Sequence, residues 1–562
     1  MNFVHLHVHS VYSWNDGACF LQKLVKRSKQ LKMPAVAITD RNSIAGAVKF
    51  AQLCKQAGIK PIIGTEINVV NDNTDGKAYS LILLSQTQKG FENLSQLISN
   101  AYKYDIQDPK ITKPFLQQHS EGIICLSFSV SGELGTLLLS DNSEQALRTI
   151  KWYKAVFGDR YYLELQNHGL PAEAYVMPKI LDLARETKTP LVLTNDCHYM
   201  NKRDSIAIDA LHAIRHGLTF KSKNCKRFDS NEYYFKTYSE MKDAFGFPPQ
   251  ALQNTVKIAD RINFDITQEL SWGKTDNGHE NHYDRVRNII SDFGFIALKD
   301  KKSANLYISK GKTTELIKLI TPLFEDYRLV PVSCYSRFSP KDLISDVAKV
   351  FDLKDEEIRL LTSDMPKDSK SIIDAILKSV DFSVMSSNTG TNDKITTIAM
   401  SLEGIYLQIW SYASVYTIIP HDCDLPLITF ANGTISTQFD RSSLQVMGYP
   451  IMTVFEFEAI NRILDSLLKT NLTQNTDFSL SNIPLDDKAT YKCISEGNTM
   501  DVYLLDSEKT QEHLRQLKPC NISDLSAFIA LESIPMYHAE VLARIAYYSA
   551  WMKVQFNLTS TM

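Results

Sequence analysis

The first 220 residues alternate between short apolar runs and longer segments of helical apolar periodicity. The short runs predict strands that are buried on both faces, and the longer segments predict amphipathic helices. Strands that alternate with helices form parallel βα units, so we expect a closed or nearly closed barrel. The seven predicted strands are FVHLHVHS, PAVAITD, PIIGTEINVV, YSLILLS, GIICLSFS, YYLELQN and PLVLTND.

Polar residues stand where several of these predicted strands end. His7 and His9 stand at the end of the first run, Asp40 and Arg41 at the end of the second, and Asp196 with His198 at the end of the seventh. In βα barrels the chemistry lies at the C-terminal ends of the strands. We therefore expect these residues to converge on one mouth of the barrel.

The alternating histidines predict a metal site. His7 and His9, two positions apart on a strand, project to the same face. His5 has the same parity, so parity alone does not choose the pair. Imidazoles with carboxylates suit Zn²⁺ or Mn²⁺, and Glu66 and Asp196 supply carboxylates from other strand ends. The alternative interpretation is that the His-x-His stretch is only a polar strand end.

The composition changes along the rest of the chain. After the barrel comes a short helical appendage, and then a polar segment rich in Gly and Asn. We predict a barrel with its appendage at 1–270, a linker at 271–284, a mixed α+β region at 285–470 and a helical region at 471–562.

The near-neutral net charge argues against a protein that binds DNA mainly through its overall charge. The 562 residues carry 61 Lys and Arg against 64 Asp and Glu, a net charge of −3. One local exception is the stretch 215–228, which is basic and contains two phenylalanines. Its candidate phosphate-binding residues are Arg215, Lys221, Lys223, Lys226 and Arg227. A solvated loop is the alternative.

Cysteine usage and hydropathy bear on the compartment. The nine cysteines are dispersed without a CxxC pair, which indicates reduced thiols. No apolar run approaches the length of about 18 residues that a membrane span needs, and the N-terminus lacks a signal-peptide pattern. We expect a cytoplasmic protein without a membrane partner.

Six segments resemble the PHP domain that begins bacterial DNA polymerase III α subunits. They are HLHVHS, AVAITDRNSIAGAVKF, IKPIIGTEINVV, KGFENLSQL, YYLELQNHGLP and LTNDCHYM, and the resemblance runs from residue 1 to about 268. It implies a distorted seven-stranded βα barrel that holds up to three metals. Active members of the family hydrolyse phosphoesters, and some act as 3′–5′ exonucleases.

One metal position is complete under this resemblance. Its ligands would be His7, His9, Glu66 and Asp196. The resemblance therefore implies that the chain can still hold one Zn²⁺ or Mn²⁺ at the barrel mouth.

The other two metal positions are degraded. The second would use a His and a Cys where this chain has Ser80 and Ser129, and a serine hydroxyl is a poor ligand. The third would use Asp16, His198 and a His at the position of Arg41. A guanidinium cannot ligate a cation and repels one. We expect Arg41 to lie within hydrogen-bonding reach of Asp16, and no trinuclear hydrolytic centre.

The resemblance resumes after the predicted linker. DLISDVAKVFDLKDEEIRLLTSDMP, LEGIYLQIWSYASVYTII and ISTQFDRSSLQVMGYPIM resemble palm and thumb segments, and IPLDDKATYKCISEGNTMDVYLLDS resembles a finger segment. The fold class expected for the whole chain is thus α/β, with α+β palm-like and mainly α thumb- and finger-like remnants after the barrel.

The polymerase chemistry of the family is missing its carboxylates. The paired aspartates of the family's PDxDxDF-type motif are absent, and its third aspartate falls at Thr453. Polymerases need such carboxylates to hold two Mg²⁺ ions. We therefore expect no polymerase Mg²⁺ pair and no polymerase activity.

These observations support three hypotheses. The first is a non-catalytic, shortened relative of the α subunit that binds a protein partner, DNA, or both, in replication or repair. The second is a PHP phosphoesterase or 3′–5′ exonuclease that uses the one remaining metal. The third is an enzyme whose missing carboxylates come from another chain.

Overall fold

The computed structural model describes most of the chain, and its contacts group the chain into two compact units. The described residues are 3–14, 16–71, 77–104, 106–225, 227–245, 249–267, 286, 289–290, 294–300, 303–324, 327–388, 390–421, 423–532 and 539–556. The predicted linker at 271–284 and Lys226 lie outside them. The first unit comprises Met1–Leu270, Pro331–Tyr412 and Asp422–Met447, and the second Ser271–Val330, Ala413–His421 and Gly448–Met562. The predicted domain boundaries remain an interpretation of the sequence, because these units divide 285–470 between them.

A curled sheet forms the barrel of the first unit. Its strands are β1 (Ala35–Ile38), β2 (Lys60–Val70), β3 (Tyr79–Ser85), β4 (Lys110–Thr112), β5 (Ile123–Leu126), β6 (Tyr161–Leu165) and β7 (Leu191–Leu193). The strand order is β1-β2-β3-β5-β6-β7, with β4 beside β2. β2 pairs antiparallel with β3, and β3 with β5, whereas the other neighbours are parallel.

The first predicted strand is an extended segment that joins the two ends of this sheet. On one side Ala37 N donates to the carbonyl of His5 at 3.0 Å, and on the other His9 N donates to the carbonyl of Cys197 at 2.7 Å. The distorted α/β barrel is therefore confirmed. Three details of the prediction were wrong: the first run forms only isolated bridges, β4 was not foreseen, and two strand pairs are antiparallel.

Helices follow most of the barrel strands. They are α1 (Leu21–Gln30), α2 (Ala47–Ala57), α3 (Gln88–Tyr104), α4 (Lys113–Gln118), α5 (Glu133–Leu139), α6 (Ser143–Phe157), α7 (Pro171–Thr187), α8 (Ser205–His216), α9 (Tyr238–Phe245) and α10 (Pro249–Arg261). Thr112 and Asn142 begin α4 and α6, because their side-chain oxygens accept from free backbone N–H groups of the first turn. Apolar strand residues such as Leu6, Ile82 and Leu126 fill the barrel core.

The middle of the chain contains a five-stranded sheet, a hairpin and a helical cluster. The strands are β8 (Gly294–Asp300), β9 (Ser303–Ser309), β10 (Tyr327–Arg337), β11 (Tyr406–Pro420), β12 (Leu427–Thr429), β13 (Ile435–Thr437) and β14 (Ile451–Phe457). The helices are α11 (Thr313–Ile320), α12 (Pro340–Val350), α13 (Asp355–Thr362), α14 (Ile372–Lys378), α15 (Val380–Ser387), α16 (Gly390–Leu402) and α17 (Arg441–Val446). The large sheet has the order β10-β11-β14-β9-β8, and β12 pairs with β13. In the first unit, α12 to α16 share an apolar core with α8.

The last part of the chain is helical, as predicted. It contains α18 (Glu458–Gln474), α19 (Lys488–Ser495), α20 (Glu508–Leu517), α21 (Ile522–Leu531) and α22 (Ala539–Phe556). Most residues of α22 are buried on all sides, so this helix lies at the centre of the helical core of the second unit. Within the described ranges, no helix combines the length and apolarity that a membrane span requires.

Candidate metal centre

Four buried side chains meet at the barrel mouth. The Nε2 atoms of His7 and His9 lie 3.3 Å apart. Asp196 Oδ1 is 3.1 Å from each of them, and Glu66 Oε2 is 3.2 Å from His9 Nε2 and 3.9 Å from His7 Nε2. With metal bonds of about 2.0–2.2 Å, ligand atoms at the corners of a tetrahedron are about 3.3–3.6 Å apart. The distances of the two histidines from each other and from both carboxylates, 3.1–3.9 Å, are thus close to the spacing that suits one ion.

The hydrogen bond behind His7 determines which of its nitrogens faces the cluster. His7 Nδ1 is 2.9 Å from Glu164 Oε1, and both residues are fully buried. A carboxylate only accepts, so Nδ1 carries the proton and donates it to Glu164. The Nε2 atom of His7 is therefore the one that can ligate.

The hydroxyl of Ser13 determines in the same way which nitrogen of His9 faces the cluster. Ser13 Oγ donates to Asp16 Oδ1 at 3.1 Å and accepts from Arg41 N at 3.1 Å. Its single proton is therefore in use, and the contact of 2.8 Å to His9 Nδ1 has the imidazole as donor. The Nε2 atom of His9 is left facing the cluster, as in His7.

The inner face of the cluster thus consists of acceptors. Glu66 Oε2 and Asp196 Oδ1 are buried and accept no hydrogen bond from the residues that the structure describes. Burial lowers the pKa values of His7 and His9, but Asp196 and the other carboxylates outweigh it and raise them to about 10 and about 9. Either protons or a cation must therefore balance the carboxylates, and the residues present fit one divalent cation.

Arg41 lies beside this cluster in the predicted arrangement. Its Nη2 is 3.1 Å from Asp16 Oδ2, so the predicted contact is confirmed, and its Nη1 is 2.9 Å from Glu66 Oε1. Ser80 Oγ donates to the same Glu66 oxygen at 2.8 Å. Burial raises the pKa of Glu66, but Arg41 and the histidines outweigh it and hold that pKa well below its usual range. Arg41 and Ser80 thus occupy Glu66 Oε1 and leave Oε2 for the histidines.

The remaining sequence candidates have other contacts. His198 stacks on His9, its Nε2 lies 3.1 Å from Asp196 Oδ1, and its Nδ1 donates to the carbonyl of Asp16 at 2.6 Å. Ser129 is buried in the loop after β5. His5 points away from the cluster, since its Nε2 donates to a backbone carbonyl at 2.8 Å. The fold therefore identifies His7 and His9 as the pair at the cluster, which strand parity alone could not do.

The sequence reasoning missed the residues that support the ligands. Glu164 is a charged residue inside an apolar strand, which was the only available signal for it. Asp196 has a φ of 46°, and this left-handed backbone is held because Asn195 accepts from Lys236 Nζ at 2.8 Å and from His168 Nε2 at 2.8 Å. Strained non-glycine residues of this kind concentrate at functional sites.

The basic stretch at 215–228 is largely engaged within the first unit. Arg215 donates to a backbone carbonyl of β11 at 2.6 Å, Lys221 pairs with a carboxylate after α12 at 2.8 Å, and Arg227 donates to a carbonyl of its own loop at 3.2 Å. Lys223 is exposed, and Lys226 lies outside the described residues. A role of this loop in binding nucleic acid remains a prediction.

Arg215 also lies over the ring of Trp14, with 3.9 Å between the guanidinium carbon and the ring centroid. We expect Arg215→Ala to lower the free energy of unfolding by about 1–3 kcal/mol, because it removes two hydrogen bonds from a charged donor to backbone carbonyls of β11 and this cation–π contact. Lys223→Ala is the control and should change that energy by less than about 0.5 kcal/mol. Urea unfolding checks both, and equal effects would contradict the structural role of Arg215.

Thr453, which stands at the position of the family's third polymerase aspartate, lies in the five-stranded sheet. Thr453 is in β14, opposite Val415 of β11 and Asn305 of β9, and its hydroxyl is buried without a hydrogen-bond partner. In the part of the chain that the structure describes, the only groups of three or more ligating side chains are His7 with His9 and Glu66, and His9 with Asp16 and His198. No carboxylate cluster surrounds Thr453 among these residues.

Comparison with known proteins agrees with this architecture. Family models match at residues 5–168 (PHP domain), 305–450 (bacterial DNA polymerase III alpha NTPase domain) and 457–540 (bacterial DNA polymerase III alpha subunit finger domain).

Curated relatives match along nearly the whole chain. The DNA polymerase III subunit alpha of Borreliella burgdorferi is 27% identical and that of Treponema pallidum 28%, each over 94% of this chain. The subunit of Escherichia coli K12 is 26% identical over the same share. The alignments cover 55%, 54% and 54% of these relatives, so the chain spans about half of their length. The chain is therefore related to bacterial DNA polymerase III α subunits, and it contains a PHP domain followed by the NTPase and finger domains that their family models describe.

Proposed function

We propose that this chain is a polymerase-inactive member of its family that acts in DNA replication or repair by binding a protein partner, DNA, or both. The observation that carries the proposal is the position of Thr453. The family's third aspartate is replaced there, and no group of three or more ligating side chains surrounds it among the described residues. Polymerase chemistry needs two Mg²⁺ ions held by carboxylates, and this replacement together with the absence of the family's paired aspartates removes them.

The barrel mouth, in this proposal, holds one structural cation. Structural zinc sites are closed by four protein ligands, whereas catalytic sites leave one position open for water or substrate. His7, His9, Glu66 and Asp196 offer four ligand atoms, and each histidine Nε2 lies 3.1–3.9 Å from the two carboxylate oxygens and 3.3 Å from the other Nε2. Zn²⁺ suits this set best, with Mn²⁺ as the other candidate. The bound cation would neutralise the two carboxylates and tie together three distant parts of the barrel.

Arg41 excludes a second cation from the adjacent position. Its guanidinium pairs with Asp16 and Glu66, two of the carboxylates that another ion would need. A positive charge at this place repels a cation and cannot ligate one. Two-metal hydrolysis of phosphoesters, which requires ions about 3.5–4 Å apart, is therefore disfavoured.

A phosphoesterase or 3′–5′ exonuclease that uses the single ion is the second candidate. The observation that favours it is that the two histidines of the one metal position lie 3.1–3.9 Å from the carboxylates of Glu66 and Asp196 at the barrel mouth. It requires metal-dependent turnover that His9→Ala abolishes, whereas our proposal expects no turnover in either protein.

The proposal predicts no template-dependent primer extension with either Mg²⁺ or Mn²⁺. The reason is that the family's paired aspartates are absent from the sequence and that Thr453 stands at the position of its third aspartate, so the carboxylates that would hold the two ions are missing. The measurement is extension of a labelled primer by repurified protein. Thr453→Asp is a useful companion, because one restored aspartate still lacks its partners and should remain inactive. Extension that persists through repurification and responds to mutations in residues 285–470 would refute the proposal.

A further inference from the structure

A second buried carboxylate stands behind the candidate ligand His7. Glu164, in β6, is fully buried, and its Oε1 accepts from His7 Nδ1 at 2.9 Å, from Gln166 Nε2 at 3.0 Å and from Thr194 Oγ1. Its backbone N donates to Ser127 Oγ at 3.0 Å. Three donors thus hold one oxygen of Glu164 at a fixed place beside the imidazole.

We infer that Glu164 is a positioning residue for metal binding, acting through His7; the inference rests on the single-metal site proposed above. Glu164 fixes the proton on Nδ1, orients the ring and leaves the Nε2 lone pair towards Asp196 and Glu66. Metal-binding histidines commonly donate their second N–H to a carboxylate or carbonyl, and loss of that partner weakens metal affinity about 10–100-fold.

A similar pair elsewhere in the barrel shows what distinguishes this one. His168 Nδ1 lies 2.6 Å from Glu173 Oε1, and both side chains are buried. The other nitrogen of His168 is used, because it donates to the carbonyl of Asn195 at 2.8 Å. The Nε2 of His7 faces only carboxylate oxygens and the Nε2 of His9. The His168–Glu173 pair therefore only connects parts of the fold, whereas the His7–Glu164 pair leaves the Nε2 atom of His7 able to ligate.

The two candidate histidines donate their Nδ1–H groups to partners of different charge. His9 donates to the neutral hydroxyl of Ser13, whereas His7 donates to a carboxylate. A carboxylate makes the imidazole a better donor to a cation, and its charge lies one imidazole away from the ion. Glu164 should therefore contribute more to affinity than a neutral partner would.

The test is the zinc affinity of the full chain, measured by competition with a chromophoric chelator. Glu164→Gln keeps the size of the side chain and removes its charge, and we expect binding about 10–100-fold weaker than in the parent. Thr194→Val removes one of the donors that hold Glu164, and we expect a smaller loss in the same direction.

The matched control is Glu133→Gln. Glu133 is also buried and also accepts from three side chains, Lys113, Thr149 and Tyr153, but it lies on α5 and contacts none of the candidate ligands. The zinc affinity of the Glu133→Gln variant should equal that of the parent. A loss as large as that of Glu164→Gln would mean that removal of any buried carboxylate weakens the site, and the inference would be wrong.

Cobalt spectroscopy separates positioning from ligation. At saturating Co²⁺, Glu164→Gln should keep the strong visible bands of a tetrahedral site, because all four ligands remain, whereas His7→Ala should lose them. Parent-like zinc affinity in both Glu164→Gln and Thr194→Val would overturn the role of Glu164 while leaving the metal site intact. A parent chain that binds no Zn²⁺ or Co²⁺ would instead overturn the metal site itself, and this inference with it.

Discussion

After dialysis, the His9→Ala variant should retain no tightly bound metal, whereas the parent chain should retain about one ion. The Nε2 atom of His9 is close to both carboxylates of the cluster, at 3.2 Å from Glu66 and 3.1 Å from Asp196. Removal of His9 leaves three ligand atoms, only one of which belongs to a histidine. Elemental analysis of zinc and manganese per chain measures the difference. His216→Ala, an exposed histidine of α8, is the control and should bind as the parent does.

Thermal unfolding should reveal the same loss independently. A ligand present at about 100 times its dissociation constant stabilises the folded state by about 2.7 kcal/mol. Chelation should therefore lower the Tm of the parent by several degrees and leave that of His9→Ala unchanged. Two or more tightly held ions in the parent, with phosphoester turnover that His9→Ala abolishes, would contradict the proposal and support the phosphoesterase candidate.

The opposite change is expected when the family's ligands are restored. Arg41→His, Ser80→His and Ser129→Cys, combined in one variant, should increase the number of Zn²⁺ or Mn²⁺ ions retained per chain. The substitution at Arg41 removes a fixed positive charge and adds an imidazole, and the one at Ser80 places a ligand beside Glu66 Oε1, from which Ser80 Oγ is now 2.8 Å away. Metal analysis after dialysis is again the measurement.

Two single variants separate charge from ligation in this experiment. Arg41→Met removes the charge without adding a ligand, and Arg41→Lys keeps the charge. Neither should retain an additional ion if new ligands are what the triple variant supplies. An unchanged metal content in the triple variant would show that the degraded positions cannot be restored by ligand identity alone.

The two halves of the proposal are independent of each other. Loss of the polymerase carboxylates concerns the sheet around Thr453, in the second unit, whereas the cation concerns the barrel in the first unit. A chain that lacks metal could still be polymerase-inactive, and a chain that holds metal could still extend primers. Each measurement therefore tests one statement.

The sequence alone determined the main features of the barrel and its candidate ligands. Six of the seven apolar runs form its strands, because continuous burial of short β-type segments is a local property of the sequence. His7, His9 and Asp196 converge because the ends of barrel segments meet at one mouth, whereas Glu66, expected at a strand end, lies inside β2. One missed detail was within reach: only eight residues separate β2 from β3, too few for a parallel crossover of about a dozen residues.

Only the tertiary structure decided which side chains support the site and how. Glu164 lies 157 residues from His7, and no periodicity relates them. The bond from Arg41 to Glu66 depends on the reach of a flexible side chain, and the exclusion of His5 depends on a backbone carbonyl that the fold brings to it. Strand patterns follow from local burial, whereas these contacts follow from packing between distant segments, which the order of residues does not encode locally.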